Sequence, residues 1–273
     1  QAVATAEQYL KTGDEEKINP LVKIYFERNP PDPLTSVSYD GRFLAFTNWT
    51  KCNLAVKNLE TEAIRTVAVS DWPDVREFPY HPAWSRDGKY IACSWYRGLD
   101  YSDLRVFSLE DRKIQTILSL PNAVLHPCDW SPEGRTILCE TLIRHSTNKA
   151  DHFLSLVSPD GTHRKIVSLG PHSRGFQFSP DGRFVTFDRL VKNERHIFIF
   201  DIEKGLETQV SSGISDLVGF NCPVWTKDGR QLLYHYGRRG RNDLWAQPIL
   251  EGIATGEPYL VHSNIIGELM KMK

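Results

Sequence analysis

The sequence predicts an all-β fold, a β-propeller built from four-stranded antiparallel blades. A tight-turn motif recurs five times, with its glycines at Gly41, Gly88, Gly134, Gly182 and Gly229. The intervals of 47, 46, 48 and 47 residues are typical of an array of identical supersecondary units. Helical periodicity is confined to about the first 20 residues, which argues against a helical solenoid.

The turn explains why each repeat begins with a hairpin. In Ser179-Pro180-Asp181-Gly182 the serine suits position i of a type I turn, the proline presets φ at i+1, and the glycine suits i+3. A strand precedes each turn, and four of the five carry an aromatic residue four positions before the glycine: Trp84, Trp130, Phe178 and Trp225, with Val37 in the first copy. A second apolar strand follows each turn, as in Phe184-Val185-Thr186-Phe187.

Each repeat continues into a third and a fourth strand. Third strands are predicted at 104–107, 197–200 and 244–247, and a fourth strand at 113–118. Four antiparallel strands in about 47 residues match a propeller blade. The predicted blades cover about 34–70, 80–118, 126–169, 173–210 and 220–262.

The two ends of the chain leave the ring incomplete. One further period would place a sixth turn glycine near position 276, beyond Lys273, so 263–273 form only a partial sixth blade. Residues 1–33 are predicted to hold a short helical segment and one candidate closing strand at 21–26. Either the sixth blade is minimal, or the chain is a fragment of a longer polypeptide, and we favour the fragment.

The segment Pro82-Ala83-Trp84-Ser85-Arg86-Asp87-Gly88-Lys89-Tyr90-Ile91-Ala92 resembles the P-x-W-S-P-D-G-x-x-I/L-A-F consensus of the TolB-type β-propeller repeat. The resemblance covers roughly residues 35 to 260, with turn departures at Arg86, Glu133 and Lys227. It implies a six-bladed propeller and a bacterial, exported, periplasmic protein, with a cytoplasmic location as the alternative. It is specific for fold and not for activity, because propellers host many unrelated functions.

Composition indicates an ordinary globular chain. With 40% hydrophobic residues, 25% charged residues and a formal net charge of −1, no bulk attraction to nucleic acid or membranes is expected. No apolar run approaches the roughly 18 residues of a membrane span. Phosphate-binding glycine loops, G-x-S-x-G and H-E-x-x-H are absent, so we predict no cofactor and no metal. Cys93 and Cys139 occupy an apolar blade position and are predicted to be core residues.

The sixth residue after each turn glycine is polar in all five copies: Thr47, Ser94, Glu140, Asp188 and His235. These positions follow buried strands at the end where propellers usually bind ligands. Glu140, Asp188 and His235, with His126, are therefore candidate metal ligands or an acid–base set. The alternative, which we favour, is that they are hydrated or bonded to neighbouring loops. His81 and His126 both precede proline, and this is also typical of an ordinary strand start.

The loops between second and third strands are basic, with ten Lys or Arg against five Asp or Glu. The candidate binding residues are Arg97, Arg144, Arg189, Arg195, Arg238, Arg239 and Arg241, with Trp49, Trp72 and Trp95 as an aromatic platform. They predict a docking surface for an acidic protein segment or an anionic glycan. The alternative, a solvated rim, is the more frequent outcome for such charge runs.

Together these features predict a non-catalytic interaction module that binds a protein or peptide partner at the loop face. One alternative is a carbohydrate-active or metal-dependent enzyme with a funnel site, using Glu140, Asp188, His235 and His126. Another is a sensory or gating propeller that forms part of a longer enzyme or signalling chain.

Overall fold

The structure of the 273-residue chain is a computed structural model. It describes residues 35–49, 51–69, 77–98, 101–147, 149–170, 172–192, 194–210, 223–238 and 241–263, with only the backbone at 235–238, 241 and 242. Within these residues every regular element is a β-strand, and the predicted all-β propeller fold is confirmed. The helical segment and closing strand predicted in 1–33, and 264–273 of the partial sixth blade, lie outside the described residues.

Five antiparallel sheets follow one another along the chain. Sheet one contains β1 Thr35–Val37, β2 Phe43–Asn48, β3 Asn53–Asn58 and β4 Ile64–Ala68. Sheet two contains β5 Glu77–Trp84, β6 Tyr90–Arg97, β7 Ser102–Ser108 and β8 Ile114–Leu118. Sheet three contains β9 Ala123–Trp130, β10 Ile137–Ser146, β11 Lys149–Val157 and β12 His163–Ser168.

Sheet four contains β13 Arg174–Phe178, β14 Phe184–Val191, β15 Glu194–Asp201 and β16 Leu206–Gln209. Sheet five contains β17 Val224–Trp225, β18 Gln231–Arg238, β19 Arg241–Leu250, β20 Ile253–Ala254 and β21 Tyr259–His262. In sheets one to four, strands that are consecutive in sequence are hydrogen-bonded neighbours. Sheet five follows the same order from β17 to β20, and β21 pairs with β19 as well.

The turns that define the repeat form the hydrogen bonds their sequence predicts. In the fourth copy, the amide of Gly182 donates to the Ser179 carbonyl (2.9 Å), and Gly182 has a φ of +75°. The Ser179 hydroxyl donates to Asp181 Oδ1 (2.5 Å), and it accepts the Phe184 amide (2.9 Å). The Ser179 hydroxyl thereby bonds both the aspartate within the turn and the strand that follows it, and these bonds stabilise the hairpin.

The chain divides into two compact units. The first holds the described residues up to Pro127 with Thr141–Asp151 and Pro159–Gly161, and the second holds Cys128–Glu140, His152–Ser158 and the described residues from Thr162 on. Each has its own apolar core, formed around Leu54, Trp84 and Ile91 in the first unit and around Leu138, Phe187 and Phe198 in the second.

Within each unit, in-phase side chains tie consecutive sheets together. The Trp84 indole donates to the Ser36 carbonyl (2.9 Å). The Phe178 amide donates to Asp129 Oδ2 (3.0 Å), and the Trp225 amide to Gln177 Oε1 (3.3 Å). Ser36, Asp129 and Gln177 each lie two residues before the serine that begins a turn, so one strand position repeatedly supplies the acceptor for the next sheet.

Candidate binding surface

The polar column after the turn glycines has a structural role at its first two members. Thr47 and Ser94 are buried, and each hydroxyl donates to a carbonyl at the start of the next sheet: Thr47 to Pro79 (2.9 Å) and Ser94 to Leu125 (2.6 Å). Both acceptors lie six residues before the turn serine of their own repeat. At these two positions the column therefore links neighbouring sheets.

Glu140 contacts an imidazole that the sequence did not single out. Its Oε1 lies 2.7 Å from Nε2 of His152 on β11, and both side chains are about one quarter exposed (23% and 28%). A partly exposed carboxylate beside an imidazole is the type of pair that transfers protons in general acid–base catalysis.

Asp188 is held in an ion-pair cluster in the second unit. Its carboxylate is fully buried, and its Oδ1 accepts from Arg195 and, at 3.4 Å, from Arg174. Burial raises the pKa of Asp188 and outweighs the two arginines, which act to lower it. The cluster occupies both arginines with an internal partner, so Asp188 and Arg195 form part of the packing of sheet four.

His126 lies in an aromatic cluster of the first unit. Its Nε2 is 2.9 Å from the hydroxyl of Tyr96, and its ring stacks on His81 with centroids 4.0 Å apart. Tyr80 contacts both His81 and Tyr96 edge-on. The remaining catalytic candidate, the side chain of His235, lies outside the described residues.

The predicted aromatic platform is not available at two of its three positions. Trp49 and Trp95 are buried, at 9% and 3% exposure. Trp49 packs against Phe78 and Tyr80, while the Trp95 indole donates to Glu77 (2.7 Å) beneath the Arg105 guanidinium. Both indoles are core groups: Trp95 lies within β6, which extends to Arg97, and Trp49 lies in the turn after β2, where it packs into the aromatic cluster. Trp72 lies outside the described residues.

Two more of the predicted binding arginines have carboxylate partners inside the fold. Arg97 contacts Asp103 (3.0 Å), and Arg189 forms a bidentate pair with Glu207 (2.9 and 2.5 Å). These pairs lower the net positive charge that the loops present. The side chains of Arg238 and Arg241, and all of Arg239, lie outside the described residues.

Arg144 lies at a surface cleft of the first unit. The cleft has a volume of ≈ 320 Å³ and is lined by Tyr101, Asn122, Arg144, His145, Ser146 and Thr147. Arg144 is exposed near the end of β10, and its amide donates to the Asn122 carbonyl (2.9 Å), which fixes the two walls relative to each other.

Neighbouring charges extend this cleft. The Arg97 guanidinium carbon lies 5.3 Å from the centroid of the Tyr101 ring, and His145 Nε2 lies 2.9 Å from Asp151 Oδ2. The cleft thus combines the Arg144 guanidinium, an aromatic ring and several hydrogen-bond donors, while the carboxylates of Asp103 and Asp151 accompany Arg97 and His145. Such a set suits a ligand that carries carboxylates.

Sequence reasoning missed most of this cleft. Tyr101 precedes β7, Asn122 precedes β9, and 144–147 end β10, so three separate connections assemble the walls. None of these residues repeats in phase with the turns. A comparison of equivalent blade positions therefore carries no signal for them, and only Arg144 was identified through loop charge.

Two properties of the described residues bear on function. They contain no group of three or more His, Cys, Asp or Glu side chains arranged to hold a metal ion. Nor does any helix there have the length and apolar content needed to cross a bilayer.

Comparison with known proteins shows a shared fold. No protein-family profile matches the chain. An uncharacterized protein of Agrobacterium fabrum is 26% identical over 195 residues, which cover 71% of this chain and 61% of that protein. TolB from Acinetobacter baumannii aligns with a TM-score of 0.56 at 14% identity, covering 83% of this chain and 56% of TolB.

An enzyme shares the same fold. Oligogalacturonate lyase, solved in complex with manganese, aligns with a TM-score of 0.57 at 15% identity, covering 81% of this chain and 63% of the lyase. The chain therefore spans less than two thirds of each of these three proteins. Its structural neighbours are TolB-like propellers that include both TolB and a lyase, so the fold alone does not decide between binding and catalysis.

Proposed function

We propose that the protein is a non-catalytic interaction module that binds an acidic segment of a partner protein at the cleft around Arg144. The observation that carries the proposal is the exposed Arg144 beside Tyr101 and Asn122 in a cleft of ≈ 320 Å³. A guanidinium binds a carboxylate through two parallel hydrogen bonds, and tyrosine and asparagine add donors and contact area. An extended peptide rich in Asp or Glu meets both requirements.

The distribution of the predicted catalytic residues favours binding over catalysis. Asp188 is buried with two arginines, whereas an acid or base must reach its substrate. Among the candidates whose side chains are described, His126 contacts Tyr96 and Glu140 contacts His152, so each of them has a different partner from Asp188.

The test is fluorescence anisotropy with a labelled oligoglutamate peptide at low and at high salt. We expect binding that weakens as salt screens the charges, and that falls at least about tenfold in Arg144→Glu. Arg65→Glu is the matched control, because Arg65 is exposed on the outer strand β4 of the same unit. Equal loss in both variants, or none in Arg144→Glu, would contradict the proposal.

The second candidate function is acid–base catalysis on an anionic glycan, and the Glu140–His152 pair favours it. Since a structural neighbour is an oligogalacturonate lyase, oligogalacturonate is the first substrate to test. Turnover that requires both Glu140 and His152, and that metal removal abolishes, would support this function. A protein inactive on this substrate with and without added manganese would exclude this reaction.

The comparisons and the repeat motif also support finer assignments. We infer that the chain is a TolB-like repeat protein, because Pro82–Ala92 follows the TolB consensus and TolB shares the fold. Its location would then be the periplasm of a bacterium. Fractionation of native cells tests this, and recovery in the cytoplasm would refute it.

A further inference from the structure

We propose that the outer edge of sheet five is a self-association surface, at which β21 pairs antiparallel with β21 of a second copy of this chain. The proposal does not depend on binding at the Arg144 cleft. It rests on the side chains of β21 and on their difference from the other outer strands.

Strand β21 exposes consecutive apolar side chains. Tyr259, Leu260 and Val261 are 46%, 48% and 47% exposed. Since successive side chains of a strand point to opposite faces, the exposure of all three means that both faces of β21 are partly open to solvent. In the described residues β21 pairs with β19 alone, so its other edge carries backbone donors and acceptors that a further strand is able to use.

Each of the other outer strands exposes at most one large apolar side chain, which is Ile64 on β4, Ile114 on β8 and Leu206 on β16, while β12 exposes none. Their other exposed positions are polar: Arg65 and Thr66 on β4, Gln115 and Thr116 on β8, Arg164 and Lys165 on β12, and Glu207 with Gln209 on β16. Charged residues on outer strands are one way in which natural sheets prevent pairing between edges. Strand β21 has no Lys, Arg, Asp or Glu, as is also true of β8, and unlike the other four outer strands it exposes three consecutive apolar residues.

The adjoining β19–β20 turn enlarges the apolar patch. Leu250 and Ile253 are 66% and 58% exposed. The turn carboxylate of Glu251 is paired with Arg183 at 2.5 Å, so it is already neutralised within the chain. The turn therefore adds exposed apolar side chains to sheet five, while the exposed Glu257 lies two residues before β21. Apolar residues are typical of the centre of an interface between subunits, and charged residues of its rim.

The sequence of β21 is complementary to itself. In an antiparallel pair with a twofold axis at Leu260, that residue faces its own copy, and Tyr259 of each chain faces Val261 of the other. Apolar and aromatic cross-strand pairs stabilise a sheet, and no charge meets its like in this register. A twofold interface requires one patch to fit itself, and β21 meets that condition. A second copy is thus the occupant that the strand fits.

Sedimentation velocity over a concentration series tests the proposal. We expect a reversible monomer–dimer equilibrium for the unmodified chain. Leu260→Lys should raise the dissociation constant at least about tenfold, because two like charges would lie directly opposite each other. Thr116→Lys is the matched control, since it adds the same charge to the exposed outer strand β8, and it should dimerise normally.

A mixing experiment checks the register and separates it from misfolding. Leu260→Lys and Leu260→Glu should each be monomeric, and an equimolar mixture should form a heterodimer, because the opposite charges then face each other. Restored dimerisation also shows that both variants are folded. A strictly monomeric unmodified chain, a dimer that survives Leu260→Lys, or a mixture that stays monomeric would each overturn the proposal.

Discussion

Replacing Thr47 by valine tests whether the polar column after the turn glycines holds the sheets together. Valine keeps the branched shape of the side chain and removes its donor. Thr47 is 5% exposed, and its hydroxyl donates to the Pro79 carbonyl of sheet two at 2.9 Å. A net hydrogen bond contributes about 0.5–1.5 kcal/mol, and a buried acceptor left without its donor costs about 1–3 kcal/mol. We therefore expect Thr47→Val to lower the free energy of unfolding by about 1–2 kcal/mol.

Equilibrium urea unfolding measures this loss. The midpoint should fall while the m-value stays unchanged, because the surface exposed on unfolding is the same. Thr116→Val makes the identical change on the exposed strand β8, and its effect should stay within about 0.5 kcal/mol. If Thr47→Val were as stable as Thr116→Val, the column would not link the sheets, and a functional role for its polar residues would have to be reconsidered.

Three further predictions concern the turns, acid stability and the remaining loop arginines. Gly182→Ala should lower the thermal unfolding temperature more than Gly88→Ala does. Both glycines have a positive φ, but of the two only at Gly182 would the new Cβ lie 2.9 Å from Pro132. Equal losses of unfolding temperature would refute this. The Ser38 hydroxyl, with the Arg42 amide, lowers the pKa of Asp40 from 3.8 to about 2. Between pH 3.8 and about 2 the unfolded state binds more protons than the folded state. The stability that Asp40 contributes is therefore present above pH 3.8 and is lost as the pH falls toward 2. Asp40→Asn should make the free energy of unfolding less dependent on pH in this range. An unchanged slope would contradict this. The triple replacement of Arg238, Arg239 and Arg241 by glutamate should weaken binding of the acidic peptide, because these loop arginines are predicted to belong to the docking surface. If the variant and the unmodified chain gave the same anisotropy, this loop would not be part of the docking surface.

The fold could be predicted because its signals are local. The Ser-x-Asp-Gly turn fixes its own hairpin through bonds within six residues, as between Ser179 and Phe184. Its five copies then set the number of sheets. Strand lengths were harder to predict, because β6 continues through Trp95 to Arg97, and the sequence pattern ends at Cys93. The sequence therefore predicts Trp95 as part of the aromatic platform at the loops, whereas its indole is buried.

The candidate site was predicted less completely because its contacts join distant parts of the chain. Arg189 was counted as loop charge, but its partner Glu207 lies 18 residues away on β16. In the same way Asp188 draws in Arg174 from β13. A charge count by loop does not include partners on neighbouring strands, so it overstates the positive charge that reaches solvent. Among the predicted residues that the structure describes, Arg144 lines a cleft.

Hydrogen–deuterium exchange with and without the acidic peptide tests the central claim most directly. If the chain binds an acidic segment around Arg144, the peptide should slow exchange in the backbone around Tyr101, around Asn122 and at 144–147, the three segments that line the cleft. The outer strand β4 should exchange at the same rate in both samples. Unchanged exchange at all three segments under saturating peptide, or protection confined to other parts of the chain, would contradict the account.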